Sequence, residues 1–181
     1  MNDSVMRLAA LMQQWGFLED PIPPAALRWI ETFLEAYSEK NLEAARPVIA
    51  ALRAEACVVP ALELERLRSR TVLFFLDSVA QYVDHQPELR GLPLTNDLAE
   101  IAKEFGLSAD DAVYAVRMAI TGERDGPRLE LLFPLLGHDR ILMRIGAVNS
   151  RLLHGRGLVP IAYGPDGKPF EPLHGVNPDK G

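Results

Sequence analysis

Arginines supply most of the positive charge in this chain and are its strongest candidates for binding chemistry. The sequence contains fifteen arginines and only four lysines. A guanidinium is planar and can donate paired hydrogen bonds to a phosphate or to a base edge. Seven arginines lie between residues 112 and 157 against four carboxylates, which gives this region a net charge of +3. These arginines are Arg117, Arg124, Arg128, Arg140, Arg144, Arg151 and Arg156.

This arginine enrichment has two interpretations. The whole chain carries a formal net charge of -6, and a phosphate backbone repels an acidic surface, so nucleic-acid binding would depend on the local positive region. A composition bias that also enriches alanine, leucine and proline would explain the arginines equally well. Arg68 has glutamates nearby at helical spacing, so it either contacts RNA or forms ion pairs on a solvated helix face.

The other reactive side chains form no catalytic or metal-binding pattern. The single cysteine, Cys57, can form no internal disulfide, which suits a reducing compartment. None of the four histidines stands at metal-ligand spacing with a carboxylate or with Cys57. A glycine-containing segment at 154–157 lacks the strand-to-helix context of a phosphate-binding loop. We therefore expect no catalytic residue, no metal and no cofactor.

The bulk composition is that of an ordinary globular protein. Of the 181 residues, 48% are hydrophobic and 24% are charged, which excludes a disordered chain. No segment approaches the roughly 18 uninterrupted apolar residues of a membrane helix, and the N-terminus lacks the form of a signal peptide. We expect a cytoplasmic protein without a membrane partner.

A helix, a loop and two further helices are predicted to position the arginines after residue 112. Ser108 can cap the first helix, which apolar residues at helical spacing continue to Gly122; glycine there permits the left-handed backbone that ends many helices. Pro127 suits the first turn of the next helix. Gly137 ends that helix before a third one over residues 138–153.

Three arginines are predicted to form a basic stripe on this third helix. At 100 degrees per residue, Arg140, Arg144 and Arg151 fall within roughly 40 degrees of one another. Such a stripe would face either phosphates or solvent and neighbouring acids.

Apolar periodicity predicts that the rest of the chain is also helical, so the fold class is all-α. The predicted upstream helices cover residues 5–15, 24–37, 47–57, an uninterrupted central helix over 62–83, and one that Thr95 or Asn96 caps and that ends at Phe105. The predicted core residues are Leu73, Phe74, Leu76, Val116 and Leu132. Trp29 is predicted to lie in the core or at an interface and not to stack on a ligand.

A linker over Gln86–Pro93 divides the predicted helices into two packed subdomains. The N-terminal helical subdomain covers residues 1–86, and the C-terminal helical subdomain covers 94–153. Residues 154–181 are rich in glycine and proline, which exclude regular helix, so they are predicted to form an irregular tail or a small hairpin.

Short segments between residues 117 and 145 carry a family resemblance. In order they read Arg-x-Ala-x-Thr-Gly, Pro-x-Leu, Leu-Gly and Arg-Ile. This order resembles the C-terminal anticodon-binding region of bacterial glutamyl-tRNA synthetase, and weaker similarities extend the resemblance over roughly residues 25–150. The residues at the family's positions are Arg117, Ala119, Thr121, Gly122, Pro127, Leu129, Leu136, Gly137, Arg144 and Ile145.

The resemblance implies that the loop before the helix at Pro127 meets anticodon bases. The residues it places at that contact are Arg117, Gly126, Pro127 and Leu129. Single-stranded bases are commonly stacked on apolar or guanidinium surfaces and read at their edges. Arg128 stands where the family often has a second proline, and Glu123 and Asp125 add negative charge, so the base preference stays open.

The resemblance does not include a catalytic half. The family's His-x-Gly-His and Lys-Met-Ser-Lys-Ser signatures, which hold ATP, have no counterpart here, so the chain is not expected to be an enzyme. One interpretation is a stand-alone tRNA-binding module, used alone or with a separate synthetase catalytic subunit. The alternative is a protein-interaction or structural domain that has lost RNA binding, which the net acidity favours. Met1 and the additional tail favour an independent chain over a fragment.

Overall fold

The computed structural model describes residues 2–38 and 41–154, and every regular element in these ranges is helical. The α-helices are α1 (Asp3–Gln14), α2 (Pro24–Ala36), α3 (Arg46–Arg53), α4 (Ala61–Leu67), α5 (Arg70–Asp84), α6 (Leu94–Glu104), α7 (Ala109–Thr121) and α8 (Leu129–His154), with a 3-10 turn at Leu42–Ala45. The all-α prediction is thereby confirmed. The tail or hairpin predicted beyond residue 154 lies outside the described residues.

The boundaries at Ser108, Gly122 and Gly137 agree with the sequence, whereas Pro127, predicted to lie in the first turn of the next helix, lies in the loop two residues before α8 begins at Leu129. Ser108 caps α7 by accepting a hydrogen bond from the Asp111 amide, and Gly122 ends α7 with a left-handed backbone (φ 75°). Gly137 interrupts α8 with φ 77° and ψ 165°, which separates a segment over 129–136 from one over 138–154. The residues after the loop therefore form two helical segments, as predicted.

Three predicted boundaries upstream of the loop are wrong, and one of them is the end of α3, which lies at Arg53 and not near Cys57. The uninterrupted helix over 62–83 is divided, because α4 ends at Leu67 and the Ser69 hydroxyl caps α5 by accepting from the Val72 amide at 3.0 Å. A serine hydroxyl satisfies a free N–H group at a helix start, so this residue favours a new helix. The cap predicted at Thr95 or Asn96 is also absent, since α6 begins at Leu94 directly after Pro93.

Helix α8 packs against helices on both sides of residues 86–93. It contacts α2, α3 and α4 as well as α5, α6 and α7. The buried apolar side chains form a single cluster that extends from Val5 to Leu152. Because helices before and after residues 86–93 share this core, they hold the loop before α8 from several sides. The division into two subdomains stays a prediction.

Most of the predicted core residues are buried. Leu73, Leu76, Val116 and Leu132 are each at most 7% exposed. Phe74 is only partly buried, because its neighbour Phe75 occupies the inward-facing position with 0% exposure.

Trp29 lies at the interface between α2 and α8, in agreement with its predicted packing role. Its indole Nε1 donates to the carbonyl of Leu135 at 2.8 Å, and its ring stacks on Phe33 with centroids 5.5 Å apart. None of the helices in residues 2–38 and 41–154 is both long and apolar enough to cross a bilayer.

Candidate functional site

The loop between α7 and α8, residues 122–128, is held in a defined shape by contacts on both sides. The Thr121 hydroxyl donates to the Arg117 carbonyl at 2.7 Å and accepts from the Glu123 amide at 3.1 Å. Gly122 packs directly on the segment before α4, since a Cβ at this position would lie 2.1 Å from the carbonyl oxygen of Val58. The α7–α8 loop therefore starts from a fixed point on the core.

Arg117 fastens the far end of the α7–α8 loop. Its Nη1 donates to the Pro127 carbonyl at 2.7 Å. Gly126 has φ 146°, and a Cβ there would lie 3.3 Å from the same Nη1. The structure thus brings the predicted residues Arg117, Gly126 and Pro127 together, and one guanidinium organises all three. Leu129 does not join them at the surface, because its side chain is only 4% exposed and packs in the core.

A cavity of about 590 Å³ lies beside the α7–α8 loop, between this loop, α3 and the segment before α4. Its walls include Tyr37, Val48 and Cys57 from the first third of the chain, together with Arg117 and Pro127. The lining is mostly apolar side chains, together with the guanidinium groups of Arg117 at the loop and of Arg144. Such a cavity can take a flat group that stacks on apolar walls and presents polar atoms to Arg117.

Two titratable side chains that line this cavity, Tyr37 and Cys57, have raised pKa values. Burial is the main cause that raises the pKa of the Tyr37 phenol; the Glu123 carboxylate raises it further and Arg117 acts in the opposite sense. Burial likewise raises the pKa of the Cys57 thiol. Both groups are therefore neutral near pH 7, and the charges beside the cavity come from arginines and from the exposed loop carboxylates Glu123 and Asp125.

The predicted basic stripe is wrong for Arg144, which is buried with 2% exposure. Its guanidinium donates to the carbonyls of Ile120 at 2.6 Å, Ala51 at 2.7 Å and Ala54 at 2.6 Å. The last carbonyls of a helix lack partners within that helix. Arg144 supplies those partners at the end of α3, so it cannot face a phosphate from this position.

The other predicted contact residues have different environments. Arg140 is partly buried, and its Nε donates to the Arg53 carbonyl at 2.9 Å, so it also caps α3. Arg151 is exposed, and in the described part of the chain it makes a long hydrogen bond, 3.4 Å, to the Val59 carbonyl. Arg68 forms an ion pair with Glu65 at 3.0 Å, and its side chain is 19% exposed. Of the two interpretations of Arg68, the structure supports the ion pair.

Two further arginines of the α7–α8 loop were not singled out as site residues by the sequence. The Arg128 side chain is 76% exposed, and its Nε lies 4.0 Å from a Glu130 carboxylate oxygen. Arg124 instead donates from Nε and Nη2 to one oxygen of Glu63, at 3.0 and 2.6 Å. Glu63 lies 61 positions earlier in the chain, so no local pattern could have linked it to the loop.

Glu63 is the centre of a buried polar cluster. The residue is 8% exposed, and its carboxylate also accepts from the Tyr114 hydroxyl and from Arg66 Nη1 at 2.9 Å. The hydrogen bond from Tyr114 is the largest cause that lowers the pKa of Glu63, and Arg124 lowers it further. Burial, together with this carboxylate, raises the pKa of Tyr114 to about 12.

Comparisons with known proteins agree with the resemblance found in the sequence. The model of the anticodon binding domain family matches residues 7–148. A glutamate–tRNA ligase of Listeria welshimeri is 24% identical over 80% of this chain, and one of Akkermansia muciniphila is 34% identical over 40%. A glutamate–tRNA ligase 1 of Rubrobacter xylanophilus is 48% identical over 24%. The matched regions cover 30%, 17% and 10% of those three relatives, respectively.

Proposed function

Because this chain belongs to the anticodon binding domain family, we propose that it binds tRNA through the anticodon arm. The bases would contact the α7–α8 loop and enter the cavity beside it. The observation that carries this proposal is the assembly of Arg117, Gly126 and Pro127 around that cavity. These are the residues that the family resemblance places at the bases.

The cavity has the properties that an unstacked base requires. Its volume of about 590 Å³ falls within the roughly 300–1,000 Å³ typical of small-ligand sites. Apolar walls can stack against a base face, and guanidinium N–H groups of Arg117 other than the one bonded to Pro127 can meet acceptors on a base edge. Glu123 and Asp125 can accept hydrogen bonds from exocyclic amino groups.

Exposed arginines near the loop supply the phosphate contacts. Arg128 and Arg151 are exposed and form no close ion pair among the described residues. Phosphate contacts position an RNA, whereas base contacts specify it. We therefore assign Arg128 and Arg151 to the backbone and Arg117 to the bases, with Arg140 at the edge of this surface.

The chain acts without catalytic chemistry of its own in this proposal. It lacks the ATP-binding signatures of the synthetases, so it would recognise tRNA in the cytoplasm alone or beside a separate catalytic subunit. A pyrophosphate exchange assay with glutamate, ATP and tRNA tests this directly. Exchange above the buffer control would contradict a non-catalytic role.

The binding test is a titration of labelled tRNA pools at two salt concentrations. Arg128→Ala should weaken binding to all tRNAs by about 2- to 10-fold and reduce the salt dependence by about 0.7–0.9 in log–log slope. Arg7→Ala is the matched control, because Arg7 is an exposed arginine on α1. The same effect from Arg7→Ala would mean that binding follows net charge and not the loop.

The alternative function is a protein-interaction or structural domain that has lost RNA binding. Two observations favour it: the net charge of -6, and the engagement of Arg144 and Arg124 within the protein. A wild-type protein without salt-sensitive tRNA binding at low ionic strength would contradict the proposed function and favour this alternative.

A further inference from the structure

We propose that Glu63 is a positioning residue for RNA binding, which holds Arg124 so that the α7–α8 loop keeps its binding shape and this cation stays away from phosphates. This inference rests on the proposed function. It assigns a role to a residue on α4, outside the loop and outside the cavity, that neither the family resemblance nor the sequence pattern indicates.

The contacts of Glu63 join three parts of the molecule. Its carboxylate accepts from Tyr114 on α7, from Arg66 on its own helix and from Arg124 in the α7–α8 loop. The Glu63 side chain is 11% exposed, whereas the Arg124 side chain is 52% exposed. The buried partner is therefore fixed by α4 and α7, and it determines where the more exposed loop cation lies.

Arg124 also fastens the middle of the loop. Thr121 and Gly122 fix the start of the α7–α8 loop, and Arg117 fixes its end through the Pro127 carbonyl. Arg124 and its neighbours lie between these two points, and among residues 2–38 and 41–154 the hydrogen-bonded contact of this stretch to another helix is the ion pair to Glu63. Glu63 consequently sets the path of the loop between its two ends.

The same ion pair changes the charge that the loop presents. A charge-assisted, two-nitrogen contact to a buried carboxylate is stronger than an exposed ion pair. While the contact holds, the Glu63 carboxylate, which it shares with Arg66, offsets part of the Arg124 charge and holds this guanidinium away from RNA phosphates. If the contact is lost, the cation becomes available to a phosphate, which adds non-selective affinity and about 0.7–0.9 to the salt slope.

Glu63→Gln is the direct test, since it keeps the side-chain shape and removes the charge. We expect the ratio of Kd values between tRNAs with different anticodons to fall by about fivefold, the equivalent of about one hydrogen bond. The dependence of Kd on salt should become steeper, and a further Arg124→Ala substitution should abolish that increase. Unchanged discrimination and salt slope in Glu63→Gln would overturn the inference.

Two control variants separate positioning from stability and from net charge. Arg66→Ala removes another donor to the same Glu63 oxygen but leaves the loop contact, so it should lower Tm without changing discrimination. Glu65→Gln makes the same change of charge two residues away, where the partner is Arg68 and not a loop residue. Equal effects of Glu65→Gln and Glu63→Gln on discrimination would show a general charge effect.

A readout without RNA keeps the inference testable if tRNA binding itself is absent. Trypsin cuts after arginine, and the ion pair with Glu63 hinders its access to Arg124. Glu63→Gln should increase the cleavage rate at the Arg124–Asp125 bond several-fold under native conditions, whereas Arg66→Ala should not. An unchanged rate would contradict the positioning role even where the wild type binds no tRNA.

Arg124→Gln covers the case in which Glu63→Gln does not fold. It leaves Glu63 with Tyr114 and Arg66 as partners, so the core should persist. We expect discrimination to fall as in Glu63→Gln, but without a steeper salt dependence, because the cation is gone. Wild-type discrimination in Arg124→Gln would overturn the inference.

Discussion

Arg144 stabilises a helix end that lies far from it in the sequence. Its guanidinium donates to Ala51 and Ala54 at the end of α3 and to Ile120 on α7. Arg144→Ala should therefore reduce the free energy of unfolding by about 2–5 kcal/mol, because it leaves buried carbonyls without donors. Urea denaturation followed by circular dichroism measures this loss.

Arg151→Ala is the matched control for that prediction. Arg151 lies on the same helix but is exposed, so its removal should change the free energy of unfolding by about 0.5 kcal/mol or less. Equal losses in the two variants would mean that the carbonyl contacts of Arg144 contribute little. The sequence predicts the shared angular position of these arginines but not their burial, since Ala51 in the last turn of α3 lies 93 positions before Arg144.

Tyr114 gives a pH dependence with a defined sign. Burial, followed by its hydrogen bond to Glu63, raises the pKa of Tyr114 to about 12, whereas an unfolded tyrosine titrates near about 10. The folded state therefore binds more protons between these values. The contribution of Tyr114 to stability should be complete below about pH 10 and lost as the pH rises through 12.

An absorbance titration of the phenolate band tests this prediction. The difference between wild type and Tyr114→Phe isolates the Tyr114 step. Glu63→Gln should move that step to lower pH, because it removes the negative charge that disfavours the phenolate. A step in wild type at the ordinary tyrosine pKa would contradict the observed contact.

At the scale of elements, the end of α7 depends on glycine for two reasons. Gly122 has a left-handed backbone, and a Cβ there would lie 2.1 Å from the Val58 carbonyl oxygen. Gly106, after α6, has a similar φ of 69° but open space around it. Gly106→Ala should thus lower the free energy of unfolding by about 1–2 kcal/mol through backbone strain alone. Gly122→Ala should lower it by about 1–3 kcal/mol more, because it also overpacks the core.

Chemical denaturation of the two alanine variants gives this comparison. Equal losses would show that the segment before α4 can move away from α7 without cost. Such a result would also weaken the assignment of Gly122 as the fixed start of the α7–α8 loop.

Helix ends show which structural features local sequence can predict. Ser108, Gly122 and Gly137 act within one turn of their own position, and the structure has a helix boundary at each. Ser69 carries the same kind of signal, yet the apolar run after it favoured one continuous helix over 62–83. A single serine hydroxyl can start a new helix before such an apolar run. It accepts a hydrogen bond from a backbone N–H that would otherwise need a carbonyl of the preceding turn.

At the scale of the whole molecule, one apolar cluster connects helices from both halves of the described chain. Trp29 on α2 bonds to Leu135 on α8, and His138 contacts the carbonyl of Gln86. We expect a single cooperative unfolding transition, with coincident midpoints for tryptophan fluorescence and far-ultraviolet circular dichroism. Two separated midpoints would show instead that the predicted subdomains unfold independently.

The candidate site combines residues that are close together in the sequence with residues that are far apart in it. Arg117, Gly126 and Pro127 lie within eleven consecutive positions, 117–127, and the family resemblance carried by this segment predicts their association. Tyr37 and Glu63 reach the site only because α2 and α4 pack against the C-terminal helices. Two partners of Glu63, Tyr114 and Arg124, lie 51 and 61 positions after it, and single-sequence periodicity contains no information on such pairs.

Cys57 makes the cavity beside the α7–α8 loop accessible to selective chemical labelling. It is the single cysteine in the sequence, and it lines the cavity while its Sγ contacts the Ala119 carbonyl at 3.4 Å. Thiolates are the reactive form, and burial raises the pKa of this thiol, so alkylation should be slow near neutral pH and faster in mild alkali. A fluorinated reagent attached there would place one nuclear spin label in the cavity wall. Its resonance would then register any molecule that enters the cavity, whether an oligonucleotide or a protein segment.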